Sequence, residues 1–218
     1  QISTKPFSNK RIGIDERLYG TNDRGLGRYI SELLLHLEEV DTVNEYVIVM
    51  RTPPPPARGG VGGSGSDAVY QPKDPRRFKV VYARSRWYSI GEQWEIPRIF
   101  ERERCDLVHI PHMNVPILLQ QPFVVTIHDL ILKDFPSARG SRLPLPIFRA
   151  KYALYKCVLR RAISNARHIL TPSQYMKDRV CSEFDRNQGD VTVTFEGVCT
   201  SLVDVHVHHR VMYNERYF

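Results

Sequence analysis

The chain has 218 residues, of which 42% are hydrophobic and 25% are charged, and these ordinary globular values exclude wholesale disorder. No stretch approaches the roughly eighteen uninterrupted apolar residues of a bilayer-spanning helix, so an integral membrane protein is not expected. The net charge of +7 favours an anionic partner such as nucleotide phosphate, acidic lipid or nucleic acid. The four scattered cysteines include no C-x-x-C pair and are typical of reduced thiols in a cytoplasmic protein.

Short apolar runs alternate with amphipathic patterns along the chain. Continuous β-branched runs predict buried strands, whereas apolar residues spaced three and four apart predict the inward face of a helix. Pro97 is expected in the first turn of the second helix, where proline is tolerated. Ser173 is predicted to be the N-cap of the last helix. In chain order the predicted elements are strand 11–15, helix 26–40, strands 46–50 and 78–82, helix 95–104, strands 106–110 and 123–127, helix 146–166, strand 168–171, the helix after Ser173, and strand 191–195.

Strand–helix alternation of this kind needs crossover connections and predicts an α/β fold. We expect one Rossmann-like domain over residues 1–199, with a doubly wound, mostly parallel sheet and helices on both faces. Residues 53–67, PPPPARGGVGGSGSD, have a low-complexity composition that predicts a surface loop. Residues 200–218 are too few for a domain and are expected to be a linker toward a further strand.

A glycine-containing turn follows the first predicted strand. The segment Gly25-Leu26-Gly27-Arg28 leads directly into a helix, and backbone N–H groups at a helix N-terminus can bind phosphate. The same G-x-G pattern is also typical of a plain tight turn, and both interpretations stay open. NAD binding is disfavoured, because Ile30 replaces the third glycine of a dinucleotide fingerprint and the second strand ends without an acidic residue. A P-loop is excluded, because no G-K-[ST] sequence occurs.

Polar side chains also follow two later strands. His109, His112 and Asn114 lie at or after one strand end, and His128 and Asp129 follow the next. Because the carboxyl ends of parallel strands meet at one edge of a sheet, these side chains are expected to share a crevice. A single histidine there is more often structural, but the cluster favours a ligand, and His128 could hydrogen-bond a sugar hydroxyl or accept a proton. A metal site is not expected, since no H-x-x-x-H or C-x-x-C pattern occurs.

Several motifs carry a family resemblance. In order they are IGIDERLYG, GLGRYI, WYSIGEQ, DLVHIPHMNVP, VVTIHDL, ILTPSQYMKD and FEGV. From about residue 11 to residue 198 the chain resembles the N-terminal domain of retaining, nucleotide-sugar-dependent glycosyltransferases of the GT-B fold (glycosyltransferase family 4). In that family two Rossmann-like domains face each other, and the N-terminal domain mainly binds the acceptor.

The resemblance implies a role for each candidate residue. The turn residues 25–28 would face the phosphates of the donor. The implied catalytic residues are His128 and Asp129: His128 would lie at the reacting sugar, and Asp129 would orient it or hold acceptor hydroxyls. The implied acceptor-binding residues are His109, His112, Asn114 and Ser173.

The resemblance also implies partners beyond this chain. A C-terminal domain normally neutralises the diphosphate leaving group, so we expect an acceptor-side half that is inactive alone. The complete enzyme would transfer a hexose from a nucleotide sugar to a glycan or a lipid-linked acceptor, with no cofactor and no metal. Nucleic-acid binding would rest on charge alone and is not expected.

Some alternatives stay open from the sequence. The chain could instead be a stand-alone, non-catalytic module that binds glycan or acts as a scaffold. The aromatic residues Trp87, Tyr88 and Trp94 are expected to wedge a helix against the sheet, with stacking on a sugar or base as the alternative. Basic residues on the long predicted helix form either a solvated face or a contact with an anionic membrane, which would place a cytoplasmic protein at the inner membrane surface. They are Arg149, Lys151, Lys156, Arg160 and Arg161.

Overall fold

The computed structural model describes residues 9–19, 24–51, 70–136 and 144–197. The predicted loop 53–67 and the predicted linker 200–218 lie outside this part of the chain. The strands are β1 (Arg11–Asp15), β2 (Glu45–Arg51), β3 (Phe78–Ala83), β4 (Leu107–Ile110), β5 (Phe123–Thr126), β6 (His168–Thr171) and β7 (Val191–Val193). They form one seven-stranded sheet in the order β3-β2-β1-β4-β5-β6-β7, and every neighbouring pair is parallel. The predicted α/β, doubly wound, Rossmann-like fold is confirmed.

Five helices connect the strands within the described residues. Four of them match a predicted helix, and their apolar spacing explains why they form, since each buries one stripe against the sheet. The N-cap prediction is confirmed, because the Ser173 hydroxyl accepts a hydrogen bond from the Met176 amide at 3.3 Å. The helices are α1 (Arg24–Val40), α2 (Glu92–Arg102), α3 (Ile131–Asp134), α4 (Leu145–Asn165) and α5 (Gln174–Phe184).

Two features of the helices differ from the prediction. Helix α2 begins at Glu92, so Pro97 is buried inside the helix and the prediction of Pro97 in the first turn is wrong. Proline removes one backbone donor, and the helix continues here because Ile96, Pro97 and Phe100 bury the inward face. Helix α3 was not predicted, because its four residues are too few to show a periodic pattern.

The two faces of the sheet bury separate apolar clusters. On one face α1 packs Leu34 against Ile14 of β1 and Ile48 of β2. On the other face α2, α4 and α5 cover a larger cluster that spans β2 to β7 and includes Phe100 and Ile163. Coverage of both faces explains why β2 is an almost uninterrupted apolar strand, EYVIVMR.

Candidate active site

The strand order places a crevice between β1 and β4. The chain passes from β1 outward to β2 on one side, whereas from β4 it continues to β5 on the other side. Ligands of open parallel sheets bind at such a switch point, outside the carboxyl ends of the strands. The residues that follow β1, β4 and β5, together with the start of α1, therefore form the candidate active site.

His128 lies at the rim of this crevice. Its Nε2 is 3.0 Å from the carbonyl oxygen of Pro111, which follows β4, and its Nδ1 is 3.3 Å from a carboxylate oxygen of Glu196. The ring also meets the edge of Tyr29 from the second turn of α1, at a centroid distance of 4.7 Å. About 17% of the His128 side chain is exposed. Segments from three separate stretches of chain thus fix an imidazole that still reaches solvent.

The partners of His128 determine where its protons sit. A carbonyl oxygen only accepts, so Nε2 donates its hydrogen to Pro111. In the neutral ring Nδ1 then has a free lone pair, whereas in the imidazolium Nδ1–H donates to Glu196. The bond from Nε2 to Pro111 therefore orients the ring in either protonation state.

His112 is surrounded by aromatic rings. It lies edge-on to Trp87 and Tyr88, at centroid distances of 5.5 and 6.2 Å. Its Nδ1 accepts a hydrogen bond of 3.3 Å from the backbone N–H of Asn114, so the neutral ring carries its proton on Nε2. Burial, followed by the charge of His128, lowers the pKa of His112 from 6.5 to about 4. His112 is therefore a neutral hydrogen-bond donor at physiological pH.

Tyr88 has an unusual backbone and an exposed ring. Its φ is 58°, in the left-handed region that a tyrosine rarely adopts, and 67% of the residue is exposed. The expectation that Tyr88 and Trp94 wedge a helix against the sheet is wrong, because Trp94 is also 56% exposed. Backbone strain of this kind is concentrated at functional sites.

A buried charged network supports the floor of the crevice. Arg17 forms two bonds of 2.8 Å to Asp15 and one of 3.1 Å to Glu92, and all three side chains are almost inaccessible. The other carboxylate oxygen of Glu92 accepts a hydrogen bond of 2.9 Å from the side-chain amide of Asn114. The Arg17 guanidinium also lies 4.9 Å from the centre of the Trp87 ring. This network ties the end of β1 to α2 and to the loop after β4.

Glu16 is fully buried beside this network. Neither of its carboxyl oxygens has a hydrogen-bond partner among the described residues. Burial, followed by the charge of Asp15, raises the pKa of Glu16 well above its usual range. Burial of this kind favours the protonated, uncharged form of the carboxyl group.

His109 lies beneath the site rather than on its surface. It is 9% exposed, and its Nε2 is 2.9 Å from the Thr126 hydroxyl, which is 3.4 Å from the Tyr29 hydroxyl. Burial lowers the pKa of His109 to about 4, with a smaller contribution from His128. Its hydrogen bond joins β4 to β5 below the position of His128.

The remaining sequence candidates surround the crevice in different ways. Residues 25–28 form the start of α1, whose first backbone N–H groups have no partner within the helix. Gly25 is exposed, and a Cβ placed there would meet no atom within 4 Å. The Asp129 carboxylate accepts a bond of 2.9 Å from the Ile131 amide at the start of α3. Ser173 is occupied as the N-cap of α5.

Tyr155 enters the site from α4. Its hydroxyl is buried and has no hydrogen-bond partner within the described part of the chain. Burial, together with the charge of Asp129 and the neighbouring Tyr88, raises the pKa of Tyr155 to about 12. Among the described residues, no three His, Cys, Asp or Glu side chains are arranged to hold a metal ion.

A surface cavity of about 820 Å³ lies away from these residues. It is found between β3 and α2, where its lining includes Tyr82, Trp94 and Arg98. This cavity is therefore not the His128 crevice. The crevice is identified by the polar side chains that converge there.

Sequence reasoning missed several residues of the site. Tyr29, Arg17, Glu92, Glu196 and Tyr155 were not assigned roles, although Glu92 belongs to the WYSIGEQ motif. Buried ion pairs join residues that are far apart in sequence, and Arg17 to Glu92 spans 75 positions. The arrangement of Asp15 and Glu92 around the buried Arg17 can therefore be recognised only in the folded structure.

The fold and the crevice together define a Rossmann-like α/β protein with polar side chains at its switch point. The sequence profile of Glycosyltransferase Family 4 matches residues 24–202, which is more than half of the chain. The chain therefore belongs to this family. A search of curated proteins finds no match.

Comparison with solved structures finds matches at low sequence identity. A glycosyltransferase from Rickettsia africae ESF-5 is 14% identical, with 91% of this chain and 45% of that chain covered and a TM-score of 0.39. The wall teichoic acid polymerase TagF is 12% identical, with 86% and 38% covered and a TM-score of 0.38. This chain thus spans less than half the length of these structures. Among the described residues, no helix combines the length and apolarity needed to cross a bilayer.

Proposed function

We propose that this chain is the acceptor-side, N-terminal half of a retaining GT-B glycosyltransferase. The complete enzyme transfers a hexose from a nucleotide sugar to a glycan or a lipid-linked acceptor, at the cytoplasmic side of a membrane. Membership of Glycosyltransferase Family 4 supports the reaction class. The observation that carries the proposal is the position of His128, which α1 and the loop after β4 hold at the rim of the switch-point crevice.

Sugar transfer requires a hydroxyl of the acceptor to lose a proton as the diphosphate leaves. His128 lies where it can hydrogen-bond the transferring sugar, and its Nδ1 can take up a proton while Nε2 stays bonded to Pro111. Backbone N–H groups of residues 25–27 at the start of α1 face the phosphate edge of the donor in this arrangement. No cofactor or metal ion takes part in this scheme.

The acceptor occupies the aromatic side of the crevice in this proposal. Tyr88 offers an exposed ring on which a pyranose can stack, and His112 offers a neutral Nε2–H. Asp129 lies on the same side and hydrogen-bonds acceptor hydroxyls. Asn114, through its bond to Glu92, and His109, through its bond to Thr126, support these residues from below.

The proposal assigns the leaving group to a second domain. The described residues of the crevice place carboxyl groups, rather than a cluster of cations, at its floor. Stabilisation of the departing diphosphate is usually the largest electrostatic contribution to such a reaction. A C-terminal Rossmann-like domain beyond residues 200–218 supplies it, so the isolated chain is expected to be inactive.

Replacement of His128 tests the proposal. In the complete glycosyltransferase, His128→Ala is expected to lower turnover on the order of a hundredfold, because a positioned proton-transfer group is lost. The release of nucleoside diphosphate from a panel of nucleotide sugars measures turnover. His36→Ala is the matched control, since His36 is an exposed histidine on α1 and should leave the rate unchanged.

Two outcomes would count against the proposal. Unchanged turnover of the His128→Ala enzyme would remove this residue from the active site. If the complete protein releases no diphosphate from any donor but retains glycan, then the non-catalytic module is the better interpretation.

A further inference from the structure

The cavity of about 820 Å³ between β3 and α2, which we call the β3–α2 cavity, is separate from the His128 crevice. Its volume lies within the range of roughly 300–1,000 Å³ that is typical of ligand sites. The lining extends from Gly91, just before α2, to Arg102 at the end of the helix, about 16 Å at 1.5 Å per residue. The cavity is therefore elongated, and a single sugar ring would fill only part of it.

Two aromatic side chains of the β3–α2 cavity are exposed. Trp94 on α2 is 56% exposed, and Tyr82 on β3, at the edge of the described sheet, is 50% exposed. Aromatic side chains are ordinarily buried for much of their area, and their exposure beside a cavity is typical of a binding surface. The flat faces of the two rings match the apolar C–H faces of pyranose rings.

The charges of the β3–α2 cavity balance. Among the described residues, two arginines and two glutamates line it. Arg98 and Glu101 form no ion pair within the described part of the chain, and the Arg98 guanidinium lies 5.9 Å from the centre of the Trp94 ring. A guanidinium only donates hydrogen bonds and a carboxylate only accepts them, whereas a sugar hydroxyl does both. The lining therefore suits a neutral polyhydroxylated ligand better than a phosphate.

Glu95 holds one wall of the β3–α2 cavity in place. Its carboxylate accepts hydrogen bonds from the backbone N–H groups of Arg84 and Ser85, at 2.9 and 2.7 Å, and from the Ser85 hydroxyl. A Cβ placed at Gly91 would lie 3.6 Å from the Ser85 hydroxyl oxygen, so the two ends of the loop 84–91 meet beside the start of α2. A wall that is fixed before the ligand arrives lowers the entropic cost of binding.

The loop 84–91 also connects the β3–α2 cavity with the crevice. Its two ends line the cavity, whereas Tyr88 in its middle lies edge-on to His112 at a centroid distance of 6.2 Å. The exposed ring of Tyr88 belongs to the proposed acceptor site. A chain of sugars that crosses this loop can therefore contact both places.

We propose that the β3–α2 cavity binds a segment of neutral oligosaccharide. Trp94 and Tyr82 stack on sugar rings, while Arg98 donates hydrogen bonds to hydroxyl groups and Glu101 accepts them. Binding at the cavity follows from its own lining. Its role in catalysis rests on the proposed function: the cavity holds the distal sugars of a long acceptor whose terminal sugar lies in the crevice.

Binding of neutral hexasaccharides to the full chain tests the cavity. We expect at least one of maltohexaose, cellohexaose, laminarihexaose and mannohexaose to bind in isothermal titration calorimetry. Trp94→Ala should weaken this binding on the order of tenfold, because a stacking surface is lost. Tyr175→Ala is the matched control, since Tyr175 is 68% exposed on α5 and also has an arginine 5.9 Å from its ring centre, but lies outside the cavity.

A second pair of variants tests the polar contacts. Arg98→Gln should weaken binding on the order of tenfold, because a charged donor is lost. Arg76→Gln removes an exposed cation that does not line the cavity and should bind as the wild type does. Raising the salt concentration tenfold should change the affinity less than twofold, because the ligand carries no charge.

The length of the acceptor tests the connection to catalysis. In the complete glycosyltransferase, Trp94→Ala should raise KM for a hexasaccharide acceptor on the order of tenfold more than KM for a monosaccharide with the same terminal sugar. Equal increases for the two acceptors would contradict a distal site. A chain that binds hexasaccharide through Trp94 but transfers no sugar would contradict only the proposed function.

Three outcomes would overturn binding at the cavity. They are the absence of binding to all four hexasaccharides, binding that Trp94→Ala leaves unchanged, and binding restricted to hexagalacturonate that salt abolishes. In the first case, a peptide library whose binders are released by Trp94→Ala would assign the outer edge of β3 to an extended peptide instead.

Discussion

At the scale of single residues, the site consists of histidines in three different environments. His109 is enclosed between strands, His112 lies among aromatic rings, and His128 remains in contact with solvent. Burial lowers the pKa of the first two to about 4, so both stay neutral at physiological pH. His128 lies at the rim of the crevice, where about 17% of its side chain is exposed.

The buried histidines make stability depend on pH. The pKa of His109 is about 4 in the folded protein and 6.5 in an ordinary environment. As pH falls from 6.5 to 4, His109 binds a proton in the unfolded chain but not in the folded chain, so the free energy of unfolding decreases. His109→Gln should reduce this decrease by on the order of 3 kcal/mol, as measured by urea unfolding at several pH values.

The comparison needs a histidine that is not enclosed. His36 is 64% exposed, and His36→Gln should follow the wild-type pH dependence. If the free energy of unfolding of His109→Gln depends on pH as steeply as that of the wild type between pH 6.5 and pH 4, then the pKa of His109 is not lowered in the folded protein. His112 contributes in the same direction, so part of the slope should persist in the His109 variant.

At the scale of elements, the packing of α2 against β1 requires glycine at position 13. A Cβ at Gly13 would lie 2.4 Å from Cδ1 of Phe100, which is fully buried on α2. Gly13→Ala should therefore cost about 1–3 kcal/mol in the free energy of unfolding, because a packed ring cannot move aside. Urea denaturation measures this cost.

Two variants sharpen the test of this contact. Gly13→Ala should cost much less in a Phe100→Leu background, because the smaller side chain vacates the clash. Gly91→Ala should be nearly neutral, since its nearest atom would be 3.6 Å away and its φ is −58°. An equal cost of Gly13→Ala in both backgrounds would assign the effect to the strand itself rather than to the ring.

Sequence periodicity predicted elements better than it predicted contacts. The apolar runs of β2 and the spacing in α1 were sufficient, because each signal is local. The start of α2 was misplaced because Pro97 is a local signal that packing of the inward face overrides. The pairing of Arg17 with Glu92 could not be predicted, because it depends on how β1 and α2 come together in space.

At the scale of the whole molecule, β2 joins the two apolar clusters. Ile48 faces α1, whereas Val47 and Val49 on the same strand face the cluster under α2 and α4. Because β2 contributes to both clusters, disruption of either cluster exposes one side of this strand. The described part of the chain is therefore expected to unfold as one cooperative unit.

Truncations on opposite faces test this cooperativity. Leu34→Ala and Ile163→Ala should each lower the free energy of unfolding by about 2–5 kcal/mol, because both side chains are fully buried. Far-UV circular dichroism and tryptophan fluorescence should report one coincident transition in each variant. Separate transitions for the two probes would mean that the clusters melt independently.

The buried network of Asp15, Arg17 and Glu92 has a consequence for how a substrate is oriented. Two carboxyl groups surround one guanidinium beneath the crevice, so this end repels phosphate and attracts hydroxyl groups that donate hydrogen bonds. The first N–H groups of α1 have no partner within the helix, and such groups attract anions. In the proposed reaction, a nucleotide sugar is therefore expected to bind with its pyrophosphate toward the amino end of α1 and its sugar toward the buried carboxyl groups.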